Sequence, residues 1–372
     1  MKKKLLCILL AAAMVAGLTA CGSASTEKQV SAEEEKDEAA EDDSKESEQT
    51  SEEPAGSGDS DDVDELKAAS EAEIEGELTI SVGDHASDEF VWKVAQAKGF
   101  IEEEFDEDNI TFNVETFSGG PTIYEALAGG SLQFGIGSTD PIINYVSNGI
   151  DIKIISELEI GDKNMLIAVA KDSGISTLED LAGKKVACSV GTFRHNFLLT
   201  ALKTVNLTAD DFELLNLQTN DIITALQAGE ADAGVLSANN YAKVSDIADV
   251  LAYSDEYKTN YHVLGVDNEF AKKYPYTTAR VIRLTKTAID WVKENREEAI
   301  QIFIDATGVD EAAATIAYDT LAFGVELDTE GIISDTSATI QFSLDNGIIT
   351  NEFDAADLLD DTYIKLAGIE EK

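Results

Sequence analysis

The sequence predicts an α/β protein of two lobes, each an open sheet with helices packed on its faces. Three observations carry this. From Leu78 onward, short apolar strand signals alternate with stretches of helical spacing. The alternation runs βαβαβαβ and then begins again at Met165. Several strands also end in small or polar turns that open the next helix. The 372 residues, 44% of them hydrophobic, suffice for two domains or lobes.

The first residues read as an address rather than a fold. "MKKK" is a positive n-region, "LLCILLAAAMVAG" an apolar h-region, and "LTAC" places small residues before Cys21. This resembles a bacterial lipobox, which implies a signal peptide over 1–20 and a lipid on Cys21; the alternative is an ordinary signal peptide with a stray cysteine. From Ser23 to about Glu75 the chain lacks aromatics and is dense in Glu, Asp, Ser and Ala. Such a segment cannot bury enough apolar surface to offset its ordering entropy, so 21–76 is expected to be a lipid-anchored, disordered acidic linker. An acidic tail for a cationic partner is the other reading.

The first lobe opens with the strand "ELTISVG" and the helical "SDEFVWKVAQAKGFIEEEF". Then come the strand "ITFNVETF", a short helix opened by Pro121, the strand "LQFGIGS", a helix with Pro141 early, and the strand "IDIKIISELE". These imply an open parallel sheet. The second lobe repeats the pattern: "MLIAVA", the short helix "STLEDLAG" capped by Ser176, "KKVACSV", the helix after "SVGT", "FELLNLQ", a helix capped by Thr219, and "ADAGVLS". "YHVLGVD" then returns as a strand to the first lobe. From Thr277 on the chain is expected to be mostly helical. The predicted lobes are therefore 77–163 plus 262–372, and 164–261, with the chain crossing between them.

Charge and cysteine count narrow the function. A formal charge of −46 argues against nucleic acid and anionic lipid surfaces as partners. A small anion stays admissible, because at physiological salt charges are screened beyond about 8 Å. Of the three cysteines, Cys7 would leave with the signal, Cys21 would carry lipid, and Cys188 sits in an apolar strand; no disulfide framework or cysteine metal site follows. In open α/β sheets ligands sit at the carboxyl ends of strands, where helix N-termini converge. Four such turns stand out: Ser118, Gly119, Gly120, Pro121 and Thr122; Ser138, Thr139, Asp140 and Pro141; Ser189, Val190, Gly191, Thr192, Phe193, Arg194, His195 and Asn196; and Ser237, Asn239, Asn240 and Tyr241. Each is either a set of amide donors for an anion or an ordinary helix cap. Arg194 is the one cation in these turns.

The run from "FSGGPTIYEALAGG" through "STLEDLAGKKVACSVGTFRHNFLLTAL" to "GEADAGVLSANNYA" resembles the aliphatic sulfonate, taurine and nitrate-binding branch of ABC-transporter solute-binding proteins. The glycine turn followed by a His-Asn pair at a helix start is the narrowest part of that likeness. It implies a type II periplasmic-binding-protein fold and a monomeric, lipid-anchored receptor on the extracytoplasmic face of the cell membrane. It also implies a small-molecule solute and a permease and ATPase as partners, with no cofactor and no metal. This sequence departs from the branch at Phe193 and Arg194, at "SANNYA", and at "GDHASDEF", where Asp84 and His85 join the candidate ligand-binding residues. A heteroaromatic solute, such as a thiamine-pyrimidine precursor or riboflavin, is the rival reading, with Phe193, Tyr241, Asn239 and Asn240 around a ring. An enzyme of the same fold would need His85, His195 and Asp140 as acid and base. No G-x-S-x-G, H-E-x-x-H or phosphate-loop motif accompanies them.

Overall fold

The computed structural model describes residues 60–86, 89–105, 109–161 and 163–369. The expected signal peptide, the Cys21 lipidation site and the linker up to residue 59 lie outside them. Among the described residues eleven strands form two sheets: β1 Leu78–His85, β2 Ile110–Phe117, β3 Phe134–Ser138, β4 Ile152–Gly161, β5 Met165–Ala170, β6 Lys185–Cys188, β7 Glu213–Asn216, β8 Ala233–Ser237, β9 Ala248–Tyr253, β10 Asn260–Asp267 and β11 Leu321–Phe323. The first sheet has the order β11-β4-β10-β3-β1-β2 and the second β7-β6-β8-β5-β9.

Apolar residues explain which segments became strands. Ile80, Val82, Phe134, Ile136, Ile154, Val263 and Leu264 are buried in one core with Trp92, Ile123, Tyr124 and Ile282. A separate core on the second sheet joins Ile167, Val186, Val235, Phe197, Leu198 and Leu202. Glycine lets helix and sheet approach: a Cβ on Gly135 would lie 2.6 Å from Ile123 Cγ2, and one on Gly234 would lie 2.7 Å from Ile222 Cγ2.

The sheets are mixed, not parallel as the strand pattern alone suggests. β10 returns after the second sheet is complete and inserts antiparallel between β3 and β4. In the second sheet β5 runs antiparallel to β8 and β9. The segment around residues 321–323, expected to be helical, is the edge strand β11 on β4. The long C-terminal helical pattern is broken at Asn295, which separates the helices Pro275–Glu294 and Arg296–Thr307. The short turn of helix at Leu178–Leu181 is capped by Thr177 with Asp180 reaching back, one residue later than the expected Ser176 cap.

A correction applies to the acidic linker. Its last part, Ser60–Glu73, is a helix with Leu66 buried, although 21–76 was expected to be disordered. Composition missed two anchors. Ser70 Oγ lies 2.8 Å from Thr277 Oγ1, and Glu73 accepts hydrogen bonds from the amides of Tyr276 and Thr277 at the start of the helix Pro275–Glu294. Glu73 thereby caps a helix some 200 residues away and places a carboxylate at its positive end.

Candidate functional site

Four helices point their N-termini at one small space between the two sheets. They are Gly120–Ala128 after β2, Thr139–Ser147 after β3, Phe193–Lys203 after β6 and Thr219–Ala228 after β7. Their N-cap residues, Gly119, Ser138, Thr192 and Gln218, all line a cavity of about 40 Å³. None of the four uses its own side chain to cap its helix. The Thr192 hydroxyl instead donates to the Ser189 carbonyl at 2.7 Å, which leaves the first amides of the helix to face the cavity.

The rest of the lining is His85, Ser118, Gly120, Pro121, Pro141, Asn260 and His262 from the first sheet's half, and Met165, Ser189, Phe193, Arg194 and Thr219 from the other. Bonds across the two halves hold it shut. Asn196 Nδ2 donates to Asp140 Oδ1 at 2.8 Å and to Thr339 Oγ1 at 3.2 Å, and Asn144 Nδ2 donates to the Gly191 carbonyl at 3.1 Å. A larger concavity of about 980 Å³ lies elsewhere, beside the helix Thr329–Asp345. Its lining sets Asp255, Glu256, Asp335 and Asp345 against Lys203 and Lys258, and Lys258 is paired with Asp335 at 2.7 Å, so acids outnumber cations there and an anion is less favoured.

The candidate residues from the sequence divide into two sets. His85, Ser118, Gly119, Gly120, Pro121, Ser138, Thr192, Phe193 and Arg194 meet at the cavity. The others do not line it. Asp84 is buried and paired with Lys93 Nζ at 2.7 Å; burial nevertheless pushes its carboxyl up to about 6, against the pull of that ammonium. Thr139 is buried, and Asp140 is taken up by Asn196. Gly191 lies at a neighbouring depression with Asn144 and Tyr145. His195 packs its ring edge-on against Phe342 at 6.2 Å, and burial lowers its pKa despite the nearby Asp140. Ser237, Asn239 and Asn240 are consumed locally: Asn240 donates to Ser237 Oγ at 2.8 Å, and Asn239 Oδ1 accepts from the Asn240 amide. The fourth helix terminus is therefore the one at Gln218 and Thr219, not the one at Ser237.

Ser189, the first residue of the third candidate turn, also lines the cavity, whereas the sequence does not single out Met165, Gln218, Thr219, Asn260 and His262 as lining residues. Thr219 had been noted only as a cap and His262 only as a strand residue. His262 belongs to a buried cluster with Glu89 and Glu159, its Nδ1 lying 2.8 Å from Glu89 Oε1 and 2.9 Å from Glu159 Oε1. Burial pushes the Glu159 carboxyl up to about 8, reinforced by the Glu89 charge. Burial alone would lower the pKa of His262, but the two carboxylates outweigh it and raise it well above the usual imidazole range.

Two α/β halves meeting at a small cavity are the architecture of a cleft-type protein, and comparison with known proteins gives its family. The family model described as NMT1/THI5 like matches residues 91–299, more than half of the chain, and the chain belongs to that family. It is 28% identical over 279 residues to a candidate aliphatic sulfonates-binding protein of Bacillus subtilis (strain 168), covering 74% of this chain and 83% of the relative. The taurine-binding periplasmic protein of Escherichia coli (strain K12) is 30% identical over 203 residues, covering 53% of this chain and 61% of the relative. The alkanesulfonate-binding protein SsuA from Xanthomonas axonopodis pv. citri, solved bound to MOPS, superposes with a TM-score of 0.69 at 20% identity over 77% of this chain and 99% of that one. The fold is that of the periplasmic binding proteins.

Proposed function

We propose that this chain is the receptor of an ABC importer and captures a small sulfonate- or nitrate-like oxyanion between its two halves. The observation that carries this is the chemistry of the cavity wall. The chain has 73 acidic and 27 basic residues, yet the sixteen lining residues include no carboxylate and do include Arg194, His85 and His262. At the chain's average composition about three of sixteen would be acids. Four helix N-termini add partial positive charge, each worth roughly 0.3–2 kcal/mol to an anion. A charge-assisted hydrogen bond from Arg194 contributes roughly 1.5–3 kcal/mol more. Together these are on the scale of the roughly 8 kcal/mol of a micromolar complex.

The heteroaromatic reading is not favoured. Tyr241, Asn239 and Asn240 are absent from the lining, and Phe193, the aromatic carbocycle that is present, stacks on Phe197. The names of the relatives support sulfonates, taurine among them, as the solute class, and support binding over catalysis. In this reading the solute enters an open cleft, and the contacts Asn196–Asp140 and Asn144–Gly191 form on closure. The lobes of the reading are 77–163 plus 262–372 and 164–261, with hinges at the β4–β5 and β9–β10 connections. A lipid on Cys21 and the acidic segment behind it tether the closed receptor near its permease and ATPase subunits on the outer face of the membrane.

Titration calorimetry with taurine, a short alkanesulfonate and nitrate tests the reading. One of them binds, and Arg194→Ala weakens it by about 1.5–3 kcal/mol, roughly 10- to 150-fold. Binding of heteroaromatics with none of these anions would overturn it.

A further inference from the structure

Three buried side chains near the cleft floor form a cluster of which the anion reading uses only His262, as a lining residue. Glu159 stands near the end of β4 and His262 near the start of β10, and the two are register partners in the antiparallel pair that carries the chain between the two sheets. Glu89 comes from the segment just before the helix Val91–Lys98. Both carboxylates are fully buried and His262 almost so. One donor atom from each lies within 4.8 Å of the other two.

The cluster as it stands is underfilled. The Nδ1 of His262 carries at most one hydrogen, yet two carboxylates approach it at 2.8 and 2.9 Å. Oε2 of Glu89 and Oε2 of Glu159 are buried with no hydrogen-bond partner. Leaving buried carboxylate oxygens unsatisfied costs several kcal/mol unless a proton or a cation meets them.

We propose that Glu89, Glu159 and His262 bind one divalent transition-metal cation, of the zinc or manganese class, at the base of the hinge strands. Two carboxylates and a neutral imidazole balance a divalent charge and suit an imidazole-accepting metal better than calcium or magnesium. Metal-ligand lengths of about 2.0–2.2 Å set neighbouring ligand atoms roughly 3 Å apart, close to the spacings around Nδ1. The second ring nitrogen, Nε2, lies 3.2 Å from Asn260 Nδ2; with Nδ1 on a metal Nε2–H must donate, and turning the Asn260 amide over presents its Oδ1, which has no hydrogen-bond partner among the described residues, as the acceptor that orients the ring. Because His262 and Asn260 also line the cavity, the cation would fix one wall of the anion site and cross-link β4 to β10 where the chain passes between the sheets. This goes beyond the anion reading and fails or stands independently of it.

The test uses the full chain, stripped with a chelator and titrated with zinc chloride and with manganese chloride. Calorimetry should show one tight site per chain above weaker surface binding. Glu159→Gln and Glu89→Gln should each weaken the tight site at least tenfold, with far-UV dichroism unchanged. The chain has only three histidines, so ring NMR gives a readout on the wild-type protein that needs no ligand variant. One equivalent of zinc should shift one imidazole signal, and the same signal should respond in His85→Gln and His195→Gln. Absence of a stoichiometric site, equal affinity in the glutamine variants, or no histidine shift at one equivalent would overturn the proposal.

Discussion

Replacing Asn196 by alanine tests whether the bonds across the two halves set ligand affinity. Asn196 is buried on the helix Phe193–Lys203, outside the cavity lining, so the change removes no ligand contact. It does remove the donor that serves Asp140 Oδ1 at 2.8 Å and Thr339 Oγ1 at 3.2 Å. Asp140 is buried and its Oδ2 makes no hydrogen bond among the described residues, so the variant leaves a carboxylate unserved. A hydrogen bond to a charged group contributes about 1.5–3 kcal/mol, and a stranded buried acceptor costs about as much. In an open cleft water hydrates Asp140, so the penalty falls on the closed state alone. The apparent dissociation constant then rises by the same free energy, about 10- to 100-fold, because binding must drive closure. Calorimetry with the best anion measures it, and the ligand-free melting midpoint serves as control. Asn196→Asp, which sets a second carboxylate against Asp140, should be worse. An alanine variant that melts like wild type and binds within twofold of it would refute the reasoning.

Two other outcomes follow from specific contacts. Burial raises Asp84 from an ordinary 3.8 to about 6, so its protonated form is favoured by folding. That contribution, about 3 kcal/mol, is complete below pH 4 and is lost as pH rises through 6; thermal melts should show this fall between pH 4 and 6, and Asp84→Asn should lack it. Glu73→Ala should cost about 0.5–2 kcal/mol by uncapping the helix Pro275–Glu294. Urea denaturation measures that loss, and an unchanged midpoint would mean that the Glu73 carboxylate does not cap the helix Pro275–Glu294.

Much of this architecture was legible because strands and helices are specified locally. Apolar alternation marked β1 to β6, and the turns at Ser118, Ser138 and Thr192 followed from strand ends meeting helix starts. What failed was whatever depends on distant chain. β10 enters the first sheet antiparallel after the whole second sheet has intervened in sequence, and no pattern in β3 or β4 announces it. Ser237 looked equivalent to Thr192 until its hydroxyl was found bound to Asn240. Glu159 carried a usable signal, as one of two carboxylates with Glu157 inside the strand "IISELEIG", but the other members of its cluster, Glu89 and His262, are 70 and 103 residues away. The helix at Ser60–Glu73 was lost in composition because one leucine and one cap outweigh its charge.

The division of labour in the site explains how so acidic a chain can present a cavity whose lining has no carboxylate. Two of the four helix termini belong to each sheet, so neither half alone assembles the donor set. The acids nearest the site are already engaged: Asp84 with Lys93, Asp140 with Asn196, and Glu89 and Glu159 with His262. The many remaining carboxylates act through water and salt, which damp their field within about 8 Å. Net charge therefore says little about what the cleft binds. The local sign is set by which ends of which helices face inward, and by the partners that keep four buried carboxylates turned away from the cavity.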